Sequence, residues 1–242
     1  MGLVLNWVDR KLVARFQNRV GPPFFQPLAD LIKLLAKEDI IPQSASRAMF
    51  AAMPLVGLAS VIASVIYIPL WTQQSLHPFD GDLIVVLYLL TLPAFSLFLG
   101  GWYATNPFAT VGATRVLTQL FGYEVPFLLA CLAPAIAAES WNISNIAQYQ
   151  ALNGWLVAWV PVSFVVALIS LIGKLERIPF DIPQAKTEIV TGPEVEYTGR
   201  RLAVFKLMFL TETFVASALI VALFLGGPHC WWIPFKAMPV WA

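Results

Sequence analysis

The chain has 242 residues, of which 59% are hydrophobic and only 12% are charged, and its formal net charge is +1. An ordinary soluble domain is about 25% charged, so this composition, with a mean hydropathy of +0.74, excludes that class and indicates a membrane protein. The near-zero net charge gives no signal for nucleic-acid binding, and we expect no nucleic acid among the partners.

The first apolar run, residues 2–8, is too short to cross a bilayer and leads directly into charged residues 9–11. We therefore expect neither a span nor a cleavable signal peptide there. Residues 9–47 are predicted to form a cytoplasmic loop. Within it, residues 24–39 carry an apolar stripe at helical spacing, formed by Leu28, Leu31, Ile32 and Leu35. This stripe predicts an amphipathic helix on the membrane surface, and the alternative is a solvated linker.

Five apolar segments follow, each close to the roughly 20 residues that a membrane-crossing helix needs. They are residues 48–71, 82–103, 116–138, 155–173 and 205–225. Prolines recur inside these segments, which predicts bent or tilted helices that need protein neighbours. We therefore predict an all-α integral membrane protein, with residues 1–242 forming a single polytopic domain.

The basic residues predict the orientation of these spans. Of the 15 Lys and Arg residues, all except Lys236 fall on one side. The connections 72–81 and 139–154, on the other side, contain none. Positive residues favour the cytoplasmic side, so the basic side is predicted to be cytoplasmic. This side includes a loop rich in charged residues, 174–204, which we call the charged segment.

Two carboxylates are predicted to lie inside the membrane, Glu124 in the third span and Glu212 in the fifth. A carboxylate at the centre of a spanning helix costs about 2.5–3.5 kcal/mol on insertion scales, so such residues are usually functional. One hypothesis is a proton or cation relay; the alternative is a structural pair with a basic residue of another helix. Polar neighbours could extend a hydrogen-bonded path; they are Gln119, Tyr123, Thr211, Thr213 and Ser217.

The sequence contains no means of handling electrons that we can identify. It has no glycine-rich nucleotide loop, no CxxC motif and no clustered histidines, since His77 and His229 lie far apart. Two cysteines cannot ligate an iron–sulfur cluster alone, and we interpret Cys131 and Cys230 as packing residues. The chain is thus predicted to be one subunit of a larger machine, without a cofactor or metal of its own.

Eight short motifs carry a resemblance to a known family. They are DRK at 9–11, RVGP at 19–22, QPLADLIKLLAKE at 26–38, GATR at 112–115, YEVP at 123–126, NIS at 142–144, IPFD at 178–181 and EYTG at 196–199. In this order the chain resembles the subunit 1 (H-type) family of complex I. Within that family it is most similar to the membrane-anchor subunit of membrane-bound NiFe hydrogenases and sulfur-reductase complexes.

The resemblance implies a non-catalytic subunit of an oxidoreductase complex in the cell membrane, crossing it several times. Such a subunit anchors the cytoplasmic electron-transfer arm and begins the path that couples redox chemistry to proton or sodium translocation. The implied partners are a small iron–sulfur subunit, a large NiFe-type subunit, antiporter-like membrane subunits and lipid, with ferredoxin as the indirect electron donor. The iron–sulfur clusters and the NiFe centre are expected in those partners.

The resemblance also implies two groups of site residues. The ion-relay group is Glu124, Glu212, Glu188, Glu196, Asp181, Tyr123 and Arg115. The group that docks the arm and lines the chamber below its last cluster is Arg19, Asp30, Lys33, Lys37, Arg177, Gln184, Lys186, Glu194 and Tyr197.

Some positions depart from the family pattern. Gln184 and Lys186 stand where glutamates are usual, and Lys174 stands where an acid is usual. The stretch at 106–114 is also more similar to the hydrogenase branch. These departures favour a ferredoxin-driven, quinone-free hydrogenase or its sulfur-reducing relative over the quinone-chamber subunit of a respiratory NADH dehydrogenase.

Further alternatives are a stand-alone secondary transporter, for which no internal repeat is visible, and a purely structural anchor in which Glu124 and Glu212 are dispensable. Family members usually have eight spans and we count five. We therefore expect that one N-terminal and two C-terminal family helices are lacking, as in a fragment or a shortened form.

Overall fold

The computed structural model describes residues 1–72 and 74–227, apart from the side chain of Lys186. Within these residues the chain is all-helical and contains no strand. The α-helices are α1 Gly2–Phe16, α2 Gln26–Ala36, α3 Arg47–Val65, α4 Asp82–Leu89, α5 Leu92–Tyr103, α6 Pro107–Ala137, α7 Ile143–Asn153, α8 Pro161–Lys174, α9 Lys186–Ile189 and α10 Gly199–Phe224. Single 3₁₀ turns occur at Leu156–Ala158, Ile182–Gln184 and Gly192–Glu194.

The protein is an all-α integral membrane protein, as the sequence predicts. Four stretches of the described chain are long and apolar enough to cross a membrane, namely Arg47–Val65, Asp82–Tyr103, Pro107–Ala137 and Gly199–Phe224. The remaining predicted span, 155–173, forms a shorter apolar helix of 14 residues, α8. It begins at Pro161, because proline lacks an N–H and fits the first turn of a helix better than its interior.

The third span begins nine residues before the predicted Val116, at Pro107. Asn106 supports this start, since its side-chain oxygen accepts the Phe108 N–H at 2.8 Å, and proline is favoured directly after such a cap. The resulting helix α6 has 31 residues and contains Pro126 and Pro134. Glu124 therefore lies near the middle of α6.

The second span is interrupted between α4 and α5. Pro93 has no N–H to donate to the turn before it, so the regular helix ends at Leu89 and resumes at Leu92. The amphipathic helix predicted over 24–39 is α2, Gln26–Ala36. On its apolar stripe Leu28, Ile32 and Leu35 are exposed.

The described chain divides into two compact units. Unit 1 comprises residues 1–61, 92–118 and 181–214, and unit 2 comprises residues 62–91, 119–180 and the chain from 215. In unit 1, Trp7 of α1 donates to the Pro22 carbonyl at 3.1 Å and packs edge-on against Phe24, which folds α1 and α2 into a hairpin.

Unit 2 is held together by buried polar contacts as well as apolar ones. Asn142 caps α7 by accepting the Ser144 N–H at 2.9 Å, and the fully buried Asp82 accepts the Ile143 N–H at 2.8 Å. Gln150 of α7 donates to the carbonyls of Ala222 and Leu223 at 3.0 and 3.1 Å. These bonds satisfy backbone groups that would be costly to bury unpaired.

Candidate functional site

The charged segment begins where α8 ends, at Lys174, and its last residues, from Gly199, already belong to α10. Three of its glutamates bind side chains of unit 1 that lie on α6, on α10 or directly before α6. Arg115 of α6 donates to Glu188 at 2.6 Å, and Lys206 of α10 donates to Glu194 at 2.5 Å. The Asn106 side-chain amide donates to Glu196. The segment is thus fastened to α6 and α10 by its own carboxylates.

These three contacts differ in exposure. The Glu188 side chain is 60% exposed, so solvent screens its pair with Arg115. The Glu194 side chain is only 4% exposed, and its Oε1 atom has no hydrogen-bond partner among the described residues. The stability of a buried carboxylate of this kind depends strongly on its one cation. The contact of Glu194 with Lys206 therefore matters more for stability than the contact of Glu188 with Arg115.

Tyr197 supports the charged segment from within unit 1. Its ring stacks on Phe50 at 4.0 Å between centroids, meets Phe205 edge-on at 4.8 Å, and its hydroxyl donates to the Phe50 carbonyl at 3.3 Å. Burial raises the pKa of Tyr197 well above its usual value. Gly100 allows this close approach, since a Cβ there would lie 2.8 Å from the Tyr197 hydroxyl oxygen.

The other predicted residues of the charged segment are less enclosed. Arg177, Asp181 and Gln184 are half-buried, while the Lys186 side chain lies outside the part that the structure describes. Arg115 makes a second, longer contact to the Ile182 carbonyl at 3.4 Å. The structure therefore places Asp181 and Gln184 in the same unit as the three paired glutamates.

The α1–α2 hairpin carries the other predicted docking residues, and the chain just after it contacts the charged segment through Asp39, which accepts from Arg201 at 3.0 Å. Asp30 accepts from Arg10 at 2.8 Å and from Gln26 at 3.0 Å. The Arg10 guanidinium holds the pKa of the Asp30 carboxyl below its usual value. Arg19, Lys33 and Lys37 are exposed, which leaves their charges available to a partner surface.

A second charged cluster lies in unit 2, around Glu124. Lys174, the last residue of α8, approaches the Glu124 carboxylate at 3.2 Å between Nζ and Oε2. The Lys174 side chain is fully buried and that of Glu124 is 14% exposed. The ammonium also lies over the rings of Tyr123 and Phe127, at 5.3 and 5.2 Å from their centroids. The sequence left open whether Glu124 forms a structural pair with a basic residue of another helix, and the structure contains such a pair. The relay role stays a prediction.

Gln119 ties this cluster to the beginning of the charged segment. Its side-chain amide donates to the carbonyl of Gly173 at 2.7 Å and to that of Phe180 at 2.8 Å. The Gln119 Oε1 atom and the Glu124 Oε1 atom are both buried and accept no hydrogen bond from any described residue. Two acceptors without donors therefore lie in the same polar region.

Glu212 lies in unit 1 on α10 and is buried, with 3% of its surface exposed. Its neighbours Thr211 and Thr213 donate their hydroxyls to carbonyls of their own helix, those of Leu207 and Phe209, each at 2.8 Å. Bonds of this kind are ordinary for threonine in a helix. The extended path through these threonines stays a prediction.

Two features were missed in the sequence. Lys174 was recognised as a departure from the family but not as the partner of Glu124, 50 residues away. Its position at the very end of an apolar span was the available signal. The sequence analysis gives no role to Asp82, the first residue of the predicted span 82–103, although its side chain is fully buried. Within the described residues, no group of three or more His, Cys, Asp or Glu side chains could hold a metal ion.

Comparison with known proteins gives consistent matches along the whole chain. The family model described as NADH dehydrogenase matches residues 1–242. Subunit 8 of the NADH-quinone oxidoreductase of Thermus thermophilus is 35% identical over 96% of this chain and 66% of its own length. The subunits H of Dehalococcoides mccartyi and Thermomicrobium roseum are each 34% identical, with 65% and 77% of their own lengths covered.

A solved structure is also similar, that of the membrane-bound sulfane sulfur reductase, an archaeal respiratory membrane complex. One of its chains matches with a TM-score of 0.85 and 28% identity, over 92% of this chain and 73% of that one. The present chain spans about two thirds of the length of the first two curated relatives.

Proposed function

This chain belongs to the NADH dehydrogenase family, and on that basis we propose that it is the membrane-anchoring and energy-coupling subunit of a complex I-like complex. The curated relatives are, by name, subunits of NADH-quinone oxidoreductases, and the solved relative belongs to a respiratory membrane complex. We assign this subunit a non-catalytic role in the cell membrane. It holds a cytoplasmic electron-transfer arm, and it links the redox chemistry of that arm to ion translocation in partner subunits.

The observation that carries the proposal is the attachment of the charged segment to membrane-spanning helices. Its glutamates bind Arg115 on α6, Lys206 on α10, and Asn106 just before α6. An electron-transfer arm that docks on this segment would act on carboxylates already bonded to two spans. A change of charge on the charged segment would therefore directly alter the electrostatic forces on those two helices.

Within this class we favour a ferredoxin-driven, quinone-free complex, either a proton-reducing hydrogenase or a sulfur reductase. The supporting observation is Lys174, whose ammonium occupies the environment of Glu124. Gln184 and Lys186 reduce the acidity of the charged segment further. In this assignment the iron–sulfur and NiFe-type centres belong to partner subunits.

The second candidate is the quinone-chamber subunit of a respiratory NADH dehydrogenase. The names of the curated relatives, at 32–35% identity, favour it. Purification of the complex in mild detergent distinguishes the two. A large NiFe-type subunit among the co-purifying chains supports the first candidate, and a flavin-bearing NADH module supports the second.

The coupling role itself is tested by Glu124→Gln in sealed vesicles that contain the whole complex. We expect ion pumping to be lost or sharply reduced, while electron transfer to an artificial acceptor is largely retained. The matched control is Glu139→Gln, which changes an exposed glutamate in the same unit. Pumping that is unchanged in Glu124→Gln would reject the relay.

The docking role is tested by charge reversal at Glu188 or Glu196. We expect Glu188→Lys to repel Arg115, and Glu196→Lys to lose the bond from Asn106. Either change should detach or uncouple the arm, which is measured as arm subunits lost during purification. Complete retention of both the arm and the coupling would contradict the docking role.

A further inference from the structure

The α1–α2 hairpin contacts α10 at two places, and each contact requires a glycine. A Cβ at Gly2, the first residue of α1, would lie 2.3 Å from the Leu210 carbonyl oxygen of α10. A Cβ at Gly199, the first residue of α10, would lie 2.4 Å from the carbonyl oxygen of Glu38, just beyond α2. Because non-bonded heavy atoms are normally about 3.5–4.0 Å apart, a larger residue at either position would push the hairpin away from α10.

Polar contacts reinforce the place where the chain leaves α2. Arg201 of α10 donates to Asp39 at 3.0 Å, and the Ile40 N–H donates to the Thr198 hydroxyl oxygen at 3.1 Å. The side chains of Arg201 and Asp39 are 18% and 29% exposed, so solvent screens this pair only in part. We call residues 38–40 together with residues 198–201 the joint, since they hold the end of the hairpin against the beginning of α10.

The same stretch of α10 also supports the charged segment. Lys206, which lies between Gly199 and Leu210, binds Glu194 of the charged segment at 2.5 Å. From Gly199 to Leu210 the helix rises by roughly 16 Å, at about 1.5 Å per residue. This short length of one helix therefore contacts the hairpin at its two ends and the charged segment between them.

We infer that the hairpin and the charged segment form one docking platform, in which α10 and the joint fix their relative position. The inference rests on the proposed function, because it specifies how the chain presents its two docking surfaces to the electron-transfer arm. Surfaces that are already fixed bind a common partner without the cost of ordering them. The arm should therefore bind more tightly with the joint intact than with the joint broken. Arg201 acts through the position of the hairpin and is a positioning residue.

The first test measures hydrogen exchange of backbone amides in the detergent-solubilised chain, with no arm present. In Gly199→Ala the new Cβ collides with the Glu38 carbonyl, and alanine does not favour the φ of +54° found there. We expect faster exchange in α2 and no change in α5, which lies in the same unit. The matched control Gly122→Ala, whose Cβ meets nothing within 4 Å, should leave exchange in α2 unchanged.

Exchange in α2 that stays at the wild-type rate in Gly199→Ala, or an equal rise in α5, would overturn the inference. The joint would then be unnecessary, or the damage general. A milder pair of variants covers the case in which Gly199→Ala does not fold. Thr198→Val removes the acceptor of the Ile40 N–H and should also speed exchange in α2, whereas Thr198→Ser keeps the acceptor and should not. Equal exchange in these two variants would likewise contradict the joint.

The second test measures the salt concentration that releases half of the arm subunits from the purified complex. In Arg201→Asp two carboxylates face each other at the joint, and we expect the arm to be released at lower salt than in wild type. The double variant Asp39→Arg/Arg201→Asp restores the pair with its charges exchanged and should recover most of the wild-type retention. A direct contact between Arg201 and the arm would not be recovered by this exchange. Retention in the double variant as weak as in Arg201→Asp would therefore reject the positioning role of Arg201.

The exchange measurement separates this inference from the proposed function, because it involves no arm. If charge reversal at Glu188 and Glu196 leaves the arm and the coupling complete, the docking role is rejected, while the exchange rates still show whether the joint holds the hairpin. If charge reversal detaches the arm but Gly199→Ala leaves α2 unchanged, the joint is rejected while the docking role stands. The two failures are thus distinguishable.

Discussion

In unit 1, Glu188 keeps 60% of its side chain exposed while it binds Arg115, whereas in unit 2 the Lys174 side chain that binds Glu124 is fully buried. Both are ion pairs at hydrogen-bonding distance. Their surroundings differ, because water and salt screen the first and protein encloses the second. The same chemical contact is therefore screened by solvent in one place and buried in the other.

The largest expected effect follows from removing one member of the buried pair. Lys174→Met leaves Glu124 without its cation, and breaking a buried pair costs about 3–5 kcal/mol. The measurement is the free energy of unfolding from denaturant titration of the detergent-solubilised protein. Lys174→Met/Glu124→Met is the control, because replacing both charges with apolar groups is often neutral. A double variant as unstable as the single one would show that the pair is not the cause.

An intermediate effect is expected at Lys206. Glu194 is only 4% exposed although Lys206 itself is 42% exposed, so Lys206→Met leaves a buried carboxylate unpaired. We expect a loss of about 1–3 kcal/mol in the free energy of unfolding. Lys206→Arg preserves the charge and should recover most of it. A loss as large as that of Lys174→Met would remove the distinction between the two regions.

A small effect is expected at the exposed pair. Arg115→Gln should cost less than about 1 kcal/mol, because exposed ion pairs contribute little. The difference between Arg115→Gln and wild type should also shrink at high salt, where the pair is screened. Denaturant titrations at low and high salt check this. A large loss of unfolding free energy that does not change with salt would show that this pair behaves like the buried pair and not like an exposed one.

The smallest effect is a pH dependence at the hairpin. Arg10 lowers the pKa of Asp30 from its usual value of 3.8. The pair therefore contributes its stability above about pH 4, where the unfolded carboxyl is also ionised, and loses it as pH falls through the folded pKa. We expect stability curves of wild type and Asp30→Asn to converge in acid. Curves that stay parallel down to acid pH would contradict the pairing.

The fold class could be predicted from the sequence because apolar runs of about 20 residues indicate membrane-spanning helices. Boundaries were less accurate where composition changes gradually. The first turns of α6, at 107–115, contain threonine, glycine and alanine, so the apolar run only becomes clear at Val116. The cap at Asn106 and the following Pro107 were the better signal for the start.

The contacts within the candidate site could not be predicted from the sequence. Glu188 and Arg115 are 73 residues apart in the sequence, and Glu124 and Lys174 are 50 residues apart. Spacing along one helix says nothing about such pairs, because they depend on which helices pack together. Glu124 and Glu212 could be predicted from their position in apolar spans, whereas most other relay and docking residues came from the resemblance, and in both cases the pairing depends on the fold.

The shortness of α8 has a consequence for the backbone carbonyls at its Lys174 end. Its 14 residues span about 21 Å, less than the roughly 30 Å of a bilayer core. A free carbonyl that water does not reach needs a donor from the protein, because an unsatisfied carbonyl in lipid costs several kcal/mol. At the Lys174 end, the Gln119 amide takes the place of water by donating to the Gly173 carbonyl at 2.7 Å. This short helix thereby ends with its terminal lysine beside Glu124, near the middle of α6.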